Sequence, residues 1–193
     1  SWTAADIATS ADGARSVFVA DMDNDGDLDI VSASYNDDAI AWYKNNGAAD
    51  PSWTAADIAT DADAARSVFA ADMDNDGDMD IVSASADDDA IAWYENGLSA
   101  FGSHSFTAAD IATSADGTRG VFVADMDNDG DMDILSASQV DDAIAWYEND
   151  GAANPSWTAA DIATSADDAF SVFAADMDND GDMDIVSASR LDN

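Results

Sequence analysis

The residues best equipped for chemistry stand together at Asp21-Met22-Asp23-Asn24-Asp25-Gly26-Asp27-Leu28-Asp29. Carboxylates occupy positions 1, 3, 5 and 9 of this stretch, glycine holds position 6, and position 7 can offer its backbone carbonyl. A hard divalent cation such as Ca²⁺ takes about six to eight oxygens at roughly 2.3 to 2.6 Å, and alternate residues of a tight loop can aim successive carboxylates at one point. Gly26 permits the sharp turn such a loop needs, because that backbone conformation is costly for residues with a Cβ. The same nine residues return, nearly letter for letter, at 72–80, 125–133 and 176–184.

The elements that must position these loops are strands. A helix-loop-helix calcium hand would need a bidentate Glu at position 12 and helices on both sides. Position 12 is instead Ser32, Ser83, Ser136 or Ser187. The flanks Ser16-Val17-Phe18-Val19-Ala20 and Ile30-Val31-Ser32-Ala33-Ser34 are short, β-branched and bounded by turn residues. Two further strands are expected in each unit, Ala39 to Tyr43 and Ser52 to Thr60, with a turn at Asn46-Gly47.

The loops begin at Asp21, Asp72, Asp125 and Asp176, a repeat of roughly 51 residues spanning 1–193 as one array. Four strands in such a period suit a β-propeller blade, and strands apolar on both faces suit a sheet held between neighbours. The expected fold is thus all-β, with four-stranded antiparallel propeller-type blades and a calcium loop between the first two strands of each. A parallel β-solenoid is the competing repeat fold. Segment 1–9 reads as a fourth strand, and the chain reaches Asn193 where the third strand of the last repeat would begin. The array is therefore expected to be a segment of a longer propeller or of a larger assembly.

Composition excludes several function classes. Asp and Glu number 42 against 5 Lys and Arg, a formal net charge of -37, so the basic surface that nucleic acid requires is missing. Self-repulsion of that size opposes a compact state unless cations are bound. Hydrophobic residues at 47% argue against the disorder common in acidic chains. Cysteine is absent, which excludes disulfides and thiolate metal sites. No apolar run approaches the roughly 20 residues of a membrane span, and no secretory signal is visible. His104 is the only histidine, expected in an exposed loop, and no nucleophile-base constellation accompanies it, so no catalysis is expected.

The pattern Asp-x-Asp-x-Asp-Gly-x-x-Asp set between two strands resembles the FG-GAP and VCBS-type repeats of calcium-binding β-propellers, which include integrin α-subunit heads and some secreted lectins. The resemblance covers essentially the whole chain, although the literal Phe-Gly and Gly-Ala-Pro signatures do not occupy their usual places. It implies about four Ca²⁺ ions, one per loop. The ligands it implies are the side chains of Asp21, Asp23, Asp25 and Asp29 with the carbonyl of Asp27, and correspondingly Asp72, Asp74, Asp76, Asp78 and Asp80, then Asp125, Asp127, Asp129, Asp131 and Asp133, and finally Asp176, Asp178, Asp180, Asp182 and Asp184. An extracellular or cell-surface location follows from the same likeness. The expected role is structural, in a surface layer, fibre or matrix, with self-association or further repeats as partners. A lectin-like or adhesive module recognising glycan or protein at blade junctions is the alternative. Trp42-Tyr43, Trp93-Tyr94 and Trp146-Tyr147 are expected to pack between blades rather than to stack on sugars, and Arg15, Arg66 and Arg119 to pair with nearby Asp.

Overall fold

The computed structural model describes residues 4–98 and 104–191. The described residues form strands and no helix. The first unit contains β1 (Ala14–Ala20), β2 (Asp29–Ser34), β3 (Ala39–Asn45) and β4 (Trp53–Ala59). The second contains β5 (Ala65–Ala71), β6 (Asp80–Ser85), β7 (Ala90–Leu98) and β8 (His104–Ala112), and the third β9 (Thr118–Ala124), β10 (Asp133–Ser138), β11 (Ala143–Asn149) and β12 (Trp157–Ala163). The last contributes β13 (Ala169–Ala175) and β14 (Asp184–Ser189). Each of the first three units is a four-stranded antiparallel sheet in chain order, and the last is a two-stranded sheet. Contacts run from each sheet to the next, and the described residues form no closed ring.

Register explains why the loop flanks are strands. Phe18 faces Val31, which faces Trp42, while Val19 faces Ile30 and Ile30 faces Tyr43. The second strand of each of the first three units thus has a partner on both sides, and β6 and β10 are buried along their whole length. The fourth strands β4 and β12 form outer edges whose middle residues are exposed, and their Asp and Thr side chains keep those edges soluble.

No sheet completes its core alone. One apolar cluster joins Val31, Ile40 and Trp42 to Val68, Ala70 and Ile81 of the next sheet; the second joins Val82, Ile91 and Trp93 to Val121, Val123 and Ile134. A third joins Leu135 and Ile144 to Val172 and Ala174. Trp42 and Trp93 are buried in these junctions and Trp146 is half-buried, so the aromatics pack between sheets. The first strands carry a continuous file of rings: Phe18 to Phe69 at 4.4 Å, Phe69 to Phe122 at 5.3 Å and Phe122 to Phe173 at 4.5 Å.

Asn46-Gly47 does lie in the turn between β3 and β4: Asn45 pairs with Trp53, and residues 46–52 form a loop in which Asn46 Oδ1 accepts from the amides of Ala48 and Ser52. Two expectations need correction. Residues 4–9 form no strand, because a fourth strand pairs with the third strand of its own sheet and no such partner stands beside them among the described residues; residues 1–3 lie outside the described residues. His104 is not an exposed loop residue. It opens β8, is half-buried, and its Nδ1 lies 2.8 Å from Asn96 Oδ1.

Candidate metal centre

Each loop is a turn wound on its own carboxylates. Asp21 Oδ1 accepts from the amide of Asp25 at 3.1 Å and its Oδ2 from the amide of Gly26 at 2.9 Å, while Asp25 Oδ1 accepts from the amide of Asp27 at 3.0 Å. The same bonds recur from Asp72, Asp125 and Asp176. Two left-handed residues give the loop its curl: Asn24 at φ 56° and Gly26 at φ 91°, with Gly130 at φ 100° in the third copy. Asparagine tolerates that region better than most residues, and glycine enters it freely.

This winding gathers oxygens. One carboxylate oxygen each from Asp21, Asp23 and Asp25 lies within 4.8 Å of the others, and the same holds for Asp72, Asp74 and Asp80, for Asp125, Asp127 and Asp129, and for Asp176, Asp178 and Asp184. Asp23 Oδ1 is buried with no hydrogen-bond partner, an orphaned acceptor on a carboxylate of the first cluster. A donor set made only of hard oxygens, with one acceptor left unsatisfied, fits Ca²⁺. Asp74 shows the cost of leaving such a cluster unneutralised: burial and then the neighbouring Asp76 raise its pKa, and Glu95 and Asp72 add to the rise.

The ninth position has a second task. Asp29 is fully buried; its Oδ2 accepts from the Met22 amide at 3.3 Å and from Trp42 Nε1 at 3.0 Å, and its Oδ1 from the Asn45 amide at 2.7 Å. Asp80 and Asp133 accept the matching amides of Met73 and Asn96, and of Met126 and Asn149. Burial pushes the Asp80 pKa up to about 7 against these donors, and it raises Asp29 and Asp133 as well. These aspartates pin the loop to the third strand of its sheet, and Asp80 and Asp184 also stand within their carboxylate clusters.

Sequence reasoning missed the residues that wire one loop to the next. Asn24 Nδ2 donates to Asp78 Oδ1 at 2.8 Å and to the Gly77 carbonyl at 3.3 Å. Asn75 donates to Asp131 Oδ1 at 2.7 Å, and Asn128 to the Gly181 carbonyl at 3.2 Å. The carboxylates of Asp78 and Asp131, expected to contribute only through their carbonyls, therefore hold the preceding loop. A second link runs from the strands: Asn96 Nδ2 donates to Met22 O and Met79 O, both at 2.9 Å, and Asn149 Nδ2 to Met73 O at 2.8 Å and Met132 O at 3.0 Å. The signal was present in the sequence as a fixed Asn at loop position 4 and another at Asn45, Asn96 and Asn149.

A profile of the FG-GAP-like repeat matches residues 21–83, 72–136 and 125–187. The chain belongs to the FG-GAP-like repeat family. Each FG-GAP-like match begins on the first aspartate of one loop and ends at position 12 of the following loop, on Ser83, Ser136 or Ser187. The matched stretch thus spans the junction between two sheets, the place where the asparagine links lie. Among curated proteins no relative matches the chain.

The first FG-GAP-like unit departs from the others in charge. Lys44 Nζ bonds Asp23 Oδ2 and stands 3.2 Å from Asp25 Oδ2, so an ammonium sits against the first cluster. Glu95 and Glu148 hold the equivalent places in the next two units.

Proposed function

We propose that this protein is a calcium-stabilised repeat scaffold of propeller-type blades, working outside the cell or at its surface, with no catalytic step. Asp21, Asp23 and Asp25 and their counterparts would hold the ion, with the carbonyls at Asp27, Asp78, Asp131 and Asp182 completing the oxygen set. The ninth-position aspartates would join it from the strand side. The ion supplies charge neutralisation and fixes the loop; millimolar extracellular Ca²⁺ is enough to fill sites of about 10⁻⁴ M affinity.

The observation that carries this reading is the coupling of loops across sheets. Asn24 and Asn75 grip the seventh-position carboxylates of the next loops, so an ordered loop braces two sheets at once. Val17 and Val19 of β1 and Phe173 and Val186 of the last sheet are exposed, on strands whose equivalents meet a neighbour elsewhere in the array. Further repeats, or a second copy of the chain, would cover them, which fits a role in a layer, fibre or matrix. The described residues contain no helix long and apolar enough to cross a membrane.

Thermal unfolding with calcium and after chelation tests the reading. At ten times Kd each filled site adds about 1.4 kcal/mol, and several such sites rival a domain's net stability. A large fall in Tm on chelation, restored by calcium, is expected; an unchanged Tm sinks the proposal.

One observation favours the adhesive alternative. Clefts of about 440 Å³ and 380 Å³ recur beside the third strands of the first and third sheets, where Tyr43 and Trp53, and Tyr147, stand with Asp37 and Asp57, and with Asp141 and Asp161. Tyr43 and Tyr147 are themselves buried, so the carboxylates, with half-buried Trp53 in the first cleft, are what a glycan would meet, and a glycan array run in calcium tests that use.

A further inference from the structure

Three of the five basic residues of this chain gather at one mouth of the sheet array. Arg15, Arg66 and Arg119 line a cleft of about 360 Å³ together with Ser16, Ser67 and Ser171. A break in strand register places each arginine there: Ala14 pairs with Ser34 and Ser16 with Ala33, leaving Arg15 as the extra residue, and Arg66 and Arg119 occupy the same position in β5 and β9. Such bulges re-aim a side chain away from the regular alternation of a strand.

The expected pairing with aspartate does not occur. No ion pair involves these arginines among the described residues. Arg15 and Arg66 instead stack on the ring of Tyr35, at 5.1 Å and 4.4 Å. The Nε atoms of Arg66 and Arg119 are buried and have no hydrogen-bond partner. Burial lowers the Arg66 pKa, with Arg119 the next contributor and Arg15 adding to it; Asp87 acts in the opposite sense without forming an ion pair. A chain so rich in carboxylate has thus left these three guanidinium groups converging without an ion pair among the described residues. Ser16 and Ser67 accept from the amides of Val68 and Val121 through their oxygens, so their hydroxyl hydrogens stay free to donate.

We propose that this cleft is an oxyanion site, taking a compact phosphate or sulfate group that bridges Arg66 and Arg119, with the serine hydroxyls and Arg15 around it. Guanidinium forks match the oxygen spacing of such groups, and the buried Nε donors have no partner among the described residues. Phe170 closes the fourth side, and the charge there moves to Arg190, which lies over the Phe170 ring at 6.0 Å and pairs with Asp168 at 3.2 Å. The site is therefore asymmetric, its positive charges supplied by the first three units and its fourth side by Phe170 and Ser171, and it stands apart from the loop carboxylates.

The test is an NMR titration of the full chain in calcium, following the arginine Nε–H signals as inorganic sulfate replaces chloride at constant ionic strength. Saturable shifts of the Arg66 and Arg119 signals, absent in chloride, are expected. Arg119→Gln should weaken the apparent affinity about tenfold or more. A sugar 6-sulfate run in parallel separates a free anion from a sulfated glycan as the source: tighter binding of the sugar assigns the glycan, equal binding the free ion, and both uphold the site. Equal shifts in chloride, no saturation, or full retention of affinity in a folded Arg119→Gln protein would overturn it. Should that variant fail to fold, the comparison of anions on the wild-type chain still decides.

Discussion

On the proposed calcium reading, Lys44 should make the first loop the weakest of those on the complete sheets, and its replacement should remove that difference. Any cation entering the first cluster must displace an ammonium that already pairs with Asp23 and stands 3.2 Å from Asp25. At about 4 Å a unit charge pair is worth about 4 kcal/mol at an effective dielectric of 20, and about 1 kcal/mol in bulk water. The Lys44 side chain is 42% exposed and Asp25 36%, whereas Asp23 is 4% exposed, so the contact lies nearer the solvent limit. A value of about 1 to 2 kcal/mol follows after screening, or roughly 5- to 30-fold in affinity. Lys44→Met should tighten the first loop by that factor, and Lys44→Glu, which reproduces the charge of Glu95, by more. Gly26, Gly77, Gly130 and Gly181 each report one loop, because the amide of each is bonded to the first aspartate of its own loop. Glycine-labelled NMR during a calcium titration therefore gives four separate isotherms. In wild type the Gly26 curve should lie to higher calcium than those of Gly77 and Gly130, and in Lys44→Glu it should join them. A Gly26 isotherm that already coincides with the others, or that does not move on substitution, would refute the reasoning.

Further outcomes follow from other parts of the structure. Without calcium, Asp80 titrates near 7 in the folded state against 3.8 unfolded, so the folded state binds the extra proton and metal-free protein should gain stability as pH falls from about 7 to about 4. Scanning calorimetry in chelator should show Tm rising over that window, whereas in calcium it should fall as protons compete for the ligands; a metal-free Tm that falls on acidification contradicts this. Asn149→Ala removes donors from Met73 O and Met132 O at a buried junction and should cost about 2 to 4 kcal/mol, read by denaturant unfolding, with Asn45→Ala much milder because Asn45 Nδ2 serves only the Leu28 carbonyl. In Gly130→Ala the new Cβ meets nothing within 4 Å, so the φ of 100° alone is tested. It should cost about 1 to 2 kcal/mol and weaken calcium at the third loop without touching the others.

The loops and their flanking strands were legible because both signals are local. Alternate carboxylates with Gly26 define a wound turn, and Val17 to Ala20 with Ile30 to Ser34 are short β-branched runs on either side. What escaped depends on residues far apart in the chain. Asn24 meets Asp78 only when two sheets lie side by side, and Lys44 reaches Asp23 only because β3 runs back past the loop. Asp29 reads as a ligand by position, yet its burial and three donors give it a structural bond set that no spacing rule reveals. Arg15, Arg66 and Arg119 look like surface charges in an alternating strand, and only the bulge turns them together. His104 was misplaced because β7 and β8 run further than the other hairpins, carrying it into a strand.

Calcium binding by the intact chain, followed by titration calorimetry with magnesium as competitor, is the most direct test of the central claim. The account predicts saturation at one ion per loop, a binding curve that magnesium barely shifts, and a calcium-dependent rise in Tm tracking occupancy. Absence of saturable binding up to about 10 mM, well above the range of extracellular calcium modules, or equal displacement by magnesium, would contradict it.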